Sequence, residues 1–291
     1  MQVWYHRIVE KKRPGESAGA QTRDVFPTLD RRTVLGLALA WVLAPPQWAA
    51  GAADTRKGAF TARATLMYGL FRFEESGIIQ EAIDRAAGRY EVRITGQGPE
   101  MTTEIESTGT LRDGRWAPVR FQDRFVIYGR ESRLEITYDH ARRLIQYRGR
   151  SETFLLRRIR VTDDTLPLPG GVHVDDVVSA ALNHAEGRWP PEANGALVTR
   201  VVRRQRGPRE GPDDVERRYR AELVPFELRV GPDTGGRATA LMDLTRFSSW
   251  AREDEPARIV FDADRRPEAI TATLMLGTSL AITIGPAPST S

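Results

Sequence analysis

The chain contains no cysteine. Disulfides, thiolate metal sites and a cysteine nucleophile are therefore excluded. Histidine is scarce as well: His6, His140, His173 and His184 are all there is in 291 residues. No phosphate-cradling loop and no dinucleotide fingerprint occurs. Lysine nearly vanishes after residue 52, where Lys57 is the last one and every other base is arginine. The chain's pI of about 9.6 suggests an anionic partner, but the charge count removes the argument for nucleic acid. Of 43 Lys+Arg and 39 Asp+Glu, the first 52 residues hold seven and four, which leaves 36 bases against 35 acids. That near-balance reads as a solvated surface of mixed sign, with no nucleic-acid partner.

What is present begins with an address. The apolar run from Val34 to Leu43 is ten residues long, about half of what a spanning helix needs. Arg31 and Arg32 precede it, and Ala49-Ala50-Gly51-Ala52-Ala53 follows two prolines. A positive flank, a short apolar segment and small residues are the three parts of a secretory signal. Asp30-Arg31-Arg32-Thr33-Val34-Leu35 resembles the twin-arginine motif, which the export machinery reads as an address rather than an anchor. Residues 29–52 are thus expected to be an export signal cleaved after Ala52, with Ala50 and Ala52 at the recognition positions. The destination is the periplasm. Residues 1–28 are polar and without periodicity, a doubtful or disordered extension, of which 1–24 read as a start-site error. Residues 286–291 are expected to be a disordered tail.

Between them, residues 53–285 read as one β-rich domain. In Val119–Ile127, Val119, Phe121, Phe125 and Ile127 share a face, since successive side chains of a strand point to opposite sides. Tyr90-Val92-Ile94, Leu134-Ile136-Tyr138, Ile270-Ala272-Leu274-Leu276 and Leu280-Ile282-Ile284 repeat the pattern. Asp113-Gly114 and Gly277-Thr278 mark hairpins. The prediction is a mostly β fold of roughly ten to twelve short strands, paired antiparallel as a meander, in two unequal halves around one helix. That helix spans about 174–186. Val174, Val177, Val178, Ala181, Leu182 and Ala185 form one apolar stripe, Asp175 and Asp176 suit its N-terminus, and Gly187 suits its C-terminal cap. It should lie on the sheet or plug its open side. The dense run from Arg200 to Arg220 reads as an exposed hairpin loop.

Four short motifs, in this order, resemble an exported bacterial family, domain of unknown function 3108. They are Leu66-Met67-Tyr68-Gly69-Leu70-Phe71, an aromatic-glycine strand, and Trp116-Ala117-Pro118-Val119-Arg120-Phe121. Asp176-Val177-Val178-Ser179 and Asp262-Ala263-Asp264-Arg265-Arg266-Pro267 follow. The resemblance implies a periplasmic, mostly antiparallel β protein, a curved sheet forming an open or half-closed barrel, and marks Pro118, Asp176, Ser179 and Pro267. It departs at Ala180–His184, where the family carries an aromatic, leucine-rich segment. It implies no activity.

Aromatic side chains on a concave sheet can line a ligand cleft. Tyr68, Phe71, Trp116, Phe121, Phe125 and Tyr147 are the candidates, with core packing as the competing role for each. A metal site built from His173, Asp175 and His184 is the weaker reading. His184 suits the carbonyl end of the helix as a cation, and no metal, cofactor or catalytic residue is expected. The preferred function is a non-catalytic periplasmic carrier of an apolar or lipid-like molecule. A scaffolding factor for an envelope protein is the alternative, and an enzyme with an unrecognised site the third.

Overall fold

The computed structural model describes residues 53–287, apart from 154–155, 208–209, 212, 233–234, 249–250 and 253. Residues 1–28, the export segment with Arg31, Arg32, Ala50 and Ala52, and residues 288–291 lie outside the described residues. The strands of the first half are β1 Asp54–Leu66, β2 Phe71–Asp84, β3 Arg89–Gln97, β4 Met101–Arg112, β5 Arg115–Ile127, β6 Arg130–Asp139, β7 Leu144–Glu152 and β8 Ile159–Pro167. Then come β9 Val174–Asp175 and the helix α1 Val177–Ala185. The second half has β10 Leu197–Arg204, β11 Ala221–Pro232, β12 Ala238–Met242, β13 Ala257–Phe261, β14 Pro267–Leu274 and β15 Thr278–Pro286.

All fifteen belong to one curved sheet that does not close, in the order β8 to β1, then β15 down to β9. Neighbours in sequence pair antiparallel, β1 pairs with β15, and only β9 runs parallel, beside β10. The sheet is a meander because almost every connection is a tight turn. Asp113 and Gly114 take φ of 50° and 80° between the paired Arg112 and Arg115. Tyr128 and Gly129 do the same, at 51° and 68°, between Ile127 and Arg130. Both are two-residue turns whose twist matches the strands. Fifteen strands replace the expected ten to twelve. β12 and β13 have five residues each and β9 only two, too short for alternation to show. Other expected boundaries also move. Met67, Tyr68 and Gly69 of the expected aromatic-glycine strand form the β1–β2 turn, with φ of 51°, 56° and 89°. Leu276, expected on a strand, lies in the β14–β15 turn at φ 56°. Pro286, expected in the tail, ends β15 opposite Gly58.

The Arg200–Arg220 stretch is not a free hairpin. Its first part is β10, and Gly211, Asp214 and Tyr219 beyond it meet the edge strand β8. Arg160 of β8 donates to the carbonyls of Gly211 and Asp214. Asp164 accepts from the Ala221 N–H, and Thr162 forms a single parallel bridge to Tyr219. Arg204 and Arg160 hold Glu210, whose side chain is almost fully buried. Arg160 and Arg204 thus act inward, as a latch over an edge that would otherwise offer unpaired backbone groups, while Arg200, Arg217, Arg218 and Arg220 are exposed.

The core lies on the concave face in three clusters. One, with Trp116, Phe121, Ile136, Tyr138 and Tyr147, packs the first half of the sheet against Val178 and Leu182 of α1. A second joins Ala180 and Trp189 to β10–β13. A third, around Phe60, Phe73 and Met101, fills the end where the β1–β2 and β5–β6 turns lie. Phe60 sits across Gly77 and Gly96, where an added Cβ would stand 2.5 and 2.7 Å from its ring. Gly96 leaves space for the ring, and Gly77 for both the ring and the Thr95 carbonyl, which an added Cβ there would overlap.

Candidate functional site: an apolar cavity beside the helix

α1 is held inside the sheet by polar side chains. Asp176 is its N-cap: Oδ1 accepts from the N–H groups of Val178 at 2.9 Å and Ser179 at 2.7 Å. The Ser179 hydroxyl accepts from the Asp176 N–H at 3.0 Å, which completes a capping box. Asp175 belongs to β9 and not to the helix start, so only one of the two expected aspartates meets the helix dipole. Its carboxylate is fully buried. It accepts from Thr199 at 2.6 Å, Ser179 at 2.8 Å, Arg115 at 3.0 Å and Asn183 at 3.0 Å. Asn183 in turn clasps the backbone of Trp116, accepting from its N–H and donating to its carbonyl, each at 2.8 Å. Ser107 links Asp176, at 2.6 Å, to Tyr90. At the other end Gly187 takes φ 65°, and the N–H groups of Gly187 and Arg188 return to His184 and Asn183. That is a Schellman cap.

This clamp rotates the helix away from the expected stripe. Ser179 and Asn183 are fully buried in the network, while Val177 is 54% exposed. Val177, Ala180, Ala181 and His184 therefore face a cavity of about 730 Å³, within the size range of small-molecule sites. Its far wall is the concave face of the second half: Val201, Phe226, Leu228, Ile259, Phe261 and Ile270. Ile79, Val92, Ile94 and Ile284 complete an apolar lining. Charge is confined to one part of the boundary, with Arg56, Lys57, Glu81, Asp262, Arg266 and Glu268. There Arg266 pairs with Glu81, and Arg56 with Asp262 and Asp264. Arg56, Asp262 and Glu268 are all partly solvated, so this is the polar mouth of an apolar chamber.

The six aromatic candidates do not gather around that chamber. Tyr68 is 81% exposed at the tip of the β1–β2 turn. Phe71 meets Tyr128 edge-on at the same end, ring centres 6.0 Å apart, and Phe125 packs against the third cluster. Trp116, Phe121 and Tyr147 are buried in the first cluster. The alternation that identified them reports the concave face, and most of that face is filled. Of the motif residues, Asp176 and Ser179 fix the helix, Pro118 is buried on β5 and Pro267 lines the chamber at the start of β14. Of the chamber's walls, Val92, Ile94, Ile270 and Ile284 lie on the alternating strands and Val177 and Ala181 on the helix stripe. Phe226 on β11 and Phe261 on β13 show no signal of their own.

The weaker metal reading does not assemble. His173 meets Asp175 at 3.2 Å and the Trp116 carbonyl. His184 is elsewhere, with Nδ1 on the Arg265 carbonyl at 3.0 Å and its ring 4.3 Å from that of Phe261. Burial lowers its pKa, so it is a neutral wall residue and not the cation expected at the helix end. Among the described residues no group of three His, Asp or Glu side chains is placed to hold a metal. No described helix is long and apolar enough to cross a membrane.

No family model matches the chain, and no curated protein does. Among solved structures the chain is similar to a beta-barrel-like protein of Domain of Unknown Function DUF1849 from Brucella abortus. The identity is 12% and the TM-score 0.36, over 81% of this chain and 100% of that one. At that degree of likeness no ligand, partner or activity is transferable.

Proposed function

We propose that this protein is a non-catalytic carrier that holds an apolar or amphipathic, lipid-like molecule in the chamber between α1 and the second half of the sheet. The observation that carries the proposal is the chamber: an apolar lining with charge at one mouth. Burial of apolar area is worth about 25 cal/mol per Å² before the costs of association, which is sufficient for binding without a reaction. Export of the precursor by the twin-arginine machinery and a periplasmic place of work belong to the same proposal, on the strength of residues 29–52. So does kinship with the family of domain of unknown function 3108, on the order of its four motifs.

The envelope-scaffold reading draws on a different surface. Tyr68, Leu70 and Leu276 stand exposed on two turns that touch through the Tyr68 N–H and the Leu276 carbonyl. The β8 edge, which a pairing partner would need, is met by Gly211, Asp214, Tyr219 and Ala221, and this favours the carrier.

The test is native mass spectrometry of gently purified exported protein, followed by lipid extraction. A reproducible co-purifying apolar molecule is the expected result. Protein that emerges empty and takes up no fatty-acid probe would overturn the carrier reading and shift weight to the exposed turns.

A further inference from the structure

The two ends of the sheet differ in what their turns show to solvent. Left-handed backbone positions occur at both ends. Where the β4–β5, β6–β7 and β13–β14 turns lie, they hold Asp113, Arg143 and Arg265. At the other end they hold Met67, Tyr68, Tyr128 and Leu276, with Arg157 the one charged exception among the described residues. Large apolar side chains seldom take a positive φ, whereas Asn and Asp take it at least cost. Nor does the fold bury these turns: Tyr68 is 81% exposed, Leu70 73% and Leu276 47%. An apolar side chain that is strained and exposed gains little within the chain, so its partner lies outside.

These side chains form one patch. Because β1 pairs with β15, the β1–β2 and β14–β15 turns are neighbours. The Tyr68 N–H donates to the Leu276 carbonyl at 2.9 Å, and the Tyr68 ring lies across Gly277, where an added Cβ would stand 2.5 Å from it. On the other side Phe71 meets Tyr128 edge-on. No charged residue occurs from Ala64 to Phe71 or from Ala269 to Pro286, in a chain of which 28% is charged. Charge returns at the rim, with Glu100 beside Tyr128, and with Arg252 paired to Asp254 and Glu255 near Tyr68. The cation closest to the tips is Arg72. Its guanidinium lies over the β1–β2 turn, 3.8 Å from where a Cβ on Gly69 would stand. It is exposed and has no hydrogen-bond or ion-pair partner among the described residues.

We propose that these two turns dock the protein on a phospholipid bilayer, with Tyr68, Leu70, Met275 and Leu276 entering the boundary between headgroups and hydrocarbon and Arg72 meeting a lipid phosphate. A stable protein interface needs about 800 Å² on each partner, and two narrow turn tips offer no such surface. A bilayer needs only apolar side chains, and it suits an aromatic ring with a polar tip. The free charge at the patch is positive, and phosphate supplies its counter-charge in the geometry a guanidinium prefers. The docking does not rest on the carrier reading. The chamber's charged mouth lies at the opposite end of the strands, with Arg56 near the start of β1 and Asp262 just beyond β13.

The experiment is flotation of the purified protein with vesicles of phosphatidylcholine, alone or mixed with phosphatidylglycerol. Wild type is compared with Arg72→Gln, Leu70→Ser and the triple variant Tyr68→Asn, Leu70→Ser, Leu276→Asn. Asn suits a positive φ, so the triple variant should melt at or above the wild-type temperature. Wild type should float with both vesicles, and more with the anionic ones. The triple variant should partition to both about tenfold less or weaker still. Leu70→Ser alone should lose part of the binding, and it leaves the left-handed positions untouched. Arg72→Gln should lose the preference for phosphatidylglycerol; a preference that persists would overturn the role of Arg72. Wild type that floats with neither vesicle, or a folded triple variant that floats as well as wild type, would overturn the docking. So would a wild-type dimer, seen by sedimentation, that the triple variant abolishes while neither protein floats, since the patch would then belong to a second copy of the chain. Flotation of a protein that takes up no fatty-acid probe would overturn the carrier alone, and probe uptake without flotation the docking alone.

Discussion

At the scale of single residues, the interior holds polar groups that its partners satisfy unequally. Tyr138 is 2% exposed in the first cluster, yet its hydroxyl has no hydrogen-bond partner. A buried, unpaired hydroxyl costs about 1–3 kcal/mol. Tyr138→Phe should therefore leave stability unchanged or raise it by about 1 kcal/mol, read from the midpoint of a urea melt. Asp176 is the opposite case, fully bonded but charged in a dry place. Burial raises its pKa from 3.8 to about 6. The folded state then holds a proton that the unfolded state has released. The stabilisation this gives is full below about 4 and is lost as pH rises through about 6. Asp123 and Glu75, raised by burial, act in the same direction. Asp176→Asn keeps an oxygen for the Val178 and Ser179 N–H groups and removes the charge. Its stability advantage over wild type should be near zero at pH 4 and grow toward pH 7, as followed by thermal melts across that range. A difference that does not change with pH would contradict the assignment.

At the scale of elements, the decisive contact is Asn183 on Trp116. It satisfies one backbone N–H and one carbonyl of a β5 residue that water does not reach. Asn183→Ala should strand the N–H and leave the carbonyl to His173 alone, at a cost of about 1–3 kcal/mol, visible as a clear fall in melting temperature. The latch over β8 is more local. Arg160→Ala removes the donor to Gly211 and Asp214, so residues 205–220 should become the first site of limited proteolysis while the rest of the sheet resists. Here the limits of reading the sequence are clear. Clean alternation in β3, β5, β6 and β15 revealed strands and their inner faces, because period two survives wherever one face is wet. The helix was legible as a helix. Its orientation was not, because Ser179 and Asn183 look like surface residues until Asp175 and Trp116 are brought beside them from β9 and β5. Arg160 likewise has no visible role until Gly211 and Asp214 stand across the gap. Long-range hydrogen bonds of this kind leave no periodic trace.

At the scale of the molecule, a meander of fifteen strands curves around one short helix, and the helix fills only part of the hollow. The antiparallel meander followed from alternation and short turns, and its curvature from the family resemblance. The chamber could not follow from any of these, since its walls come from β1–β3, α1 and β10–β15, brought together only when β1 pairs with β15. The aromatics that seemed most suited to a ligand are largely spent on packing the first half. What the whole molecule retains is apolar space, and the central claim is that a ligand occupies it. Ala181 lies on the cavity side of α1 and is only partly buried, so Ala181→Trp places an indole in the space without touching the Asp175 network. The most direct measurement is a fluorescence titration of wild type and Ala181→Trp with an environment-sensitive alkyl probe, beside melts of both proteins. Saturable one-site binding to wild type, weakened about tenfold or more in a variant that melts like wild type, is the predicted result. Equal binding by both, or binding by neither, would contradict it.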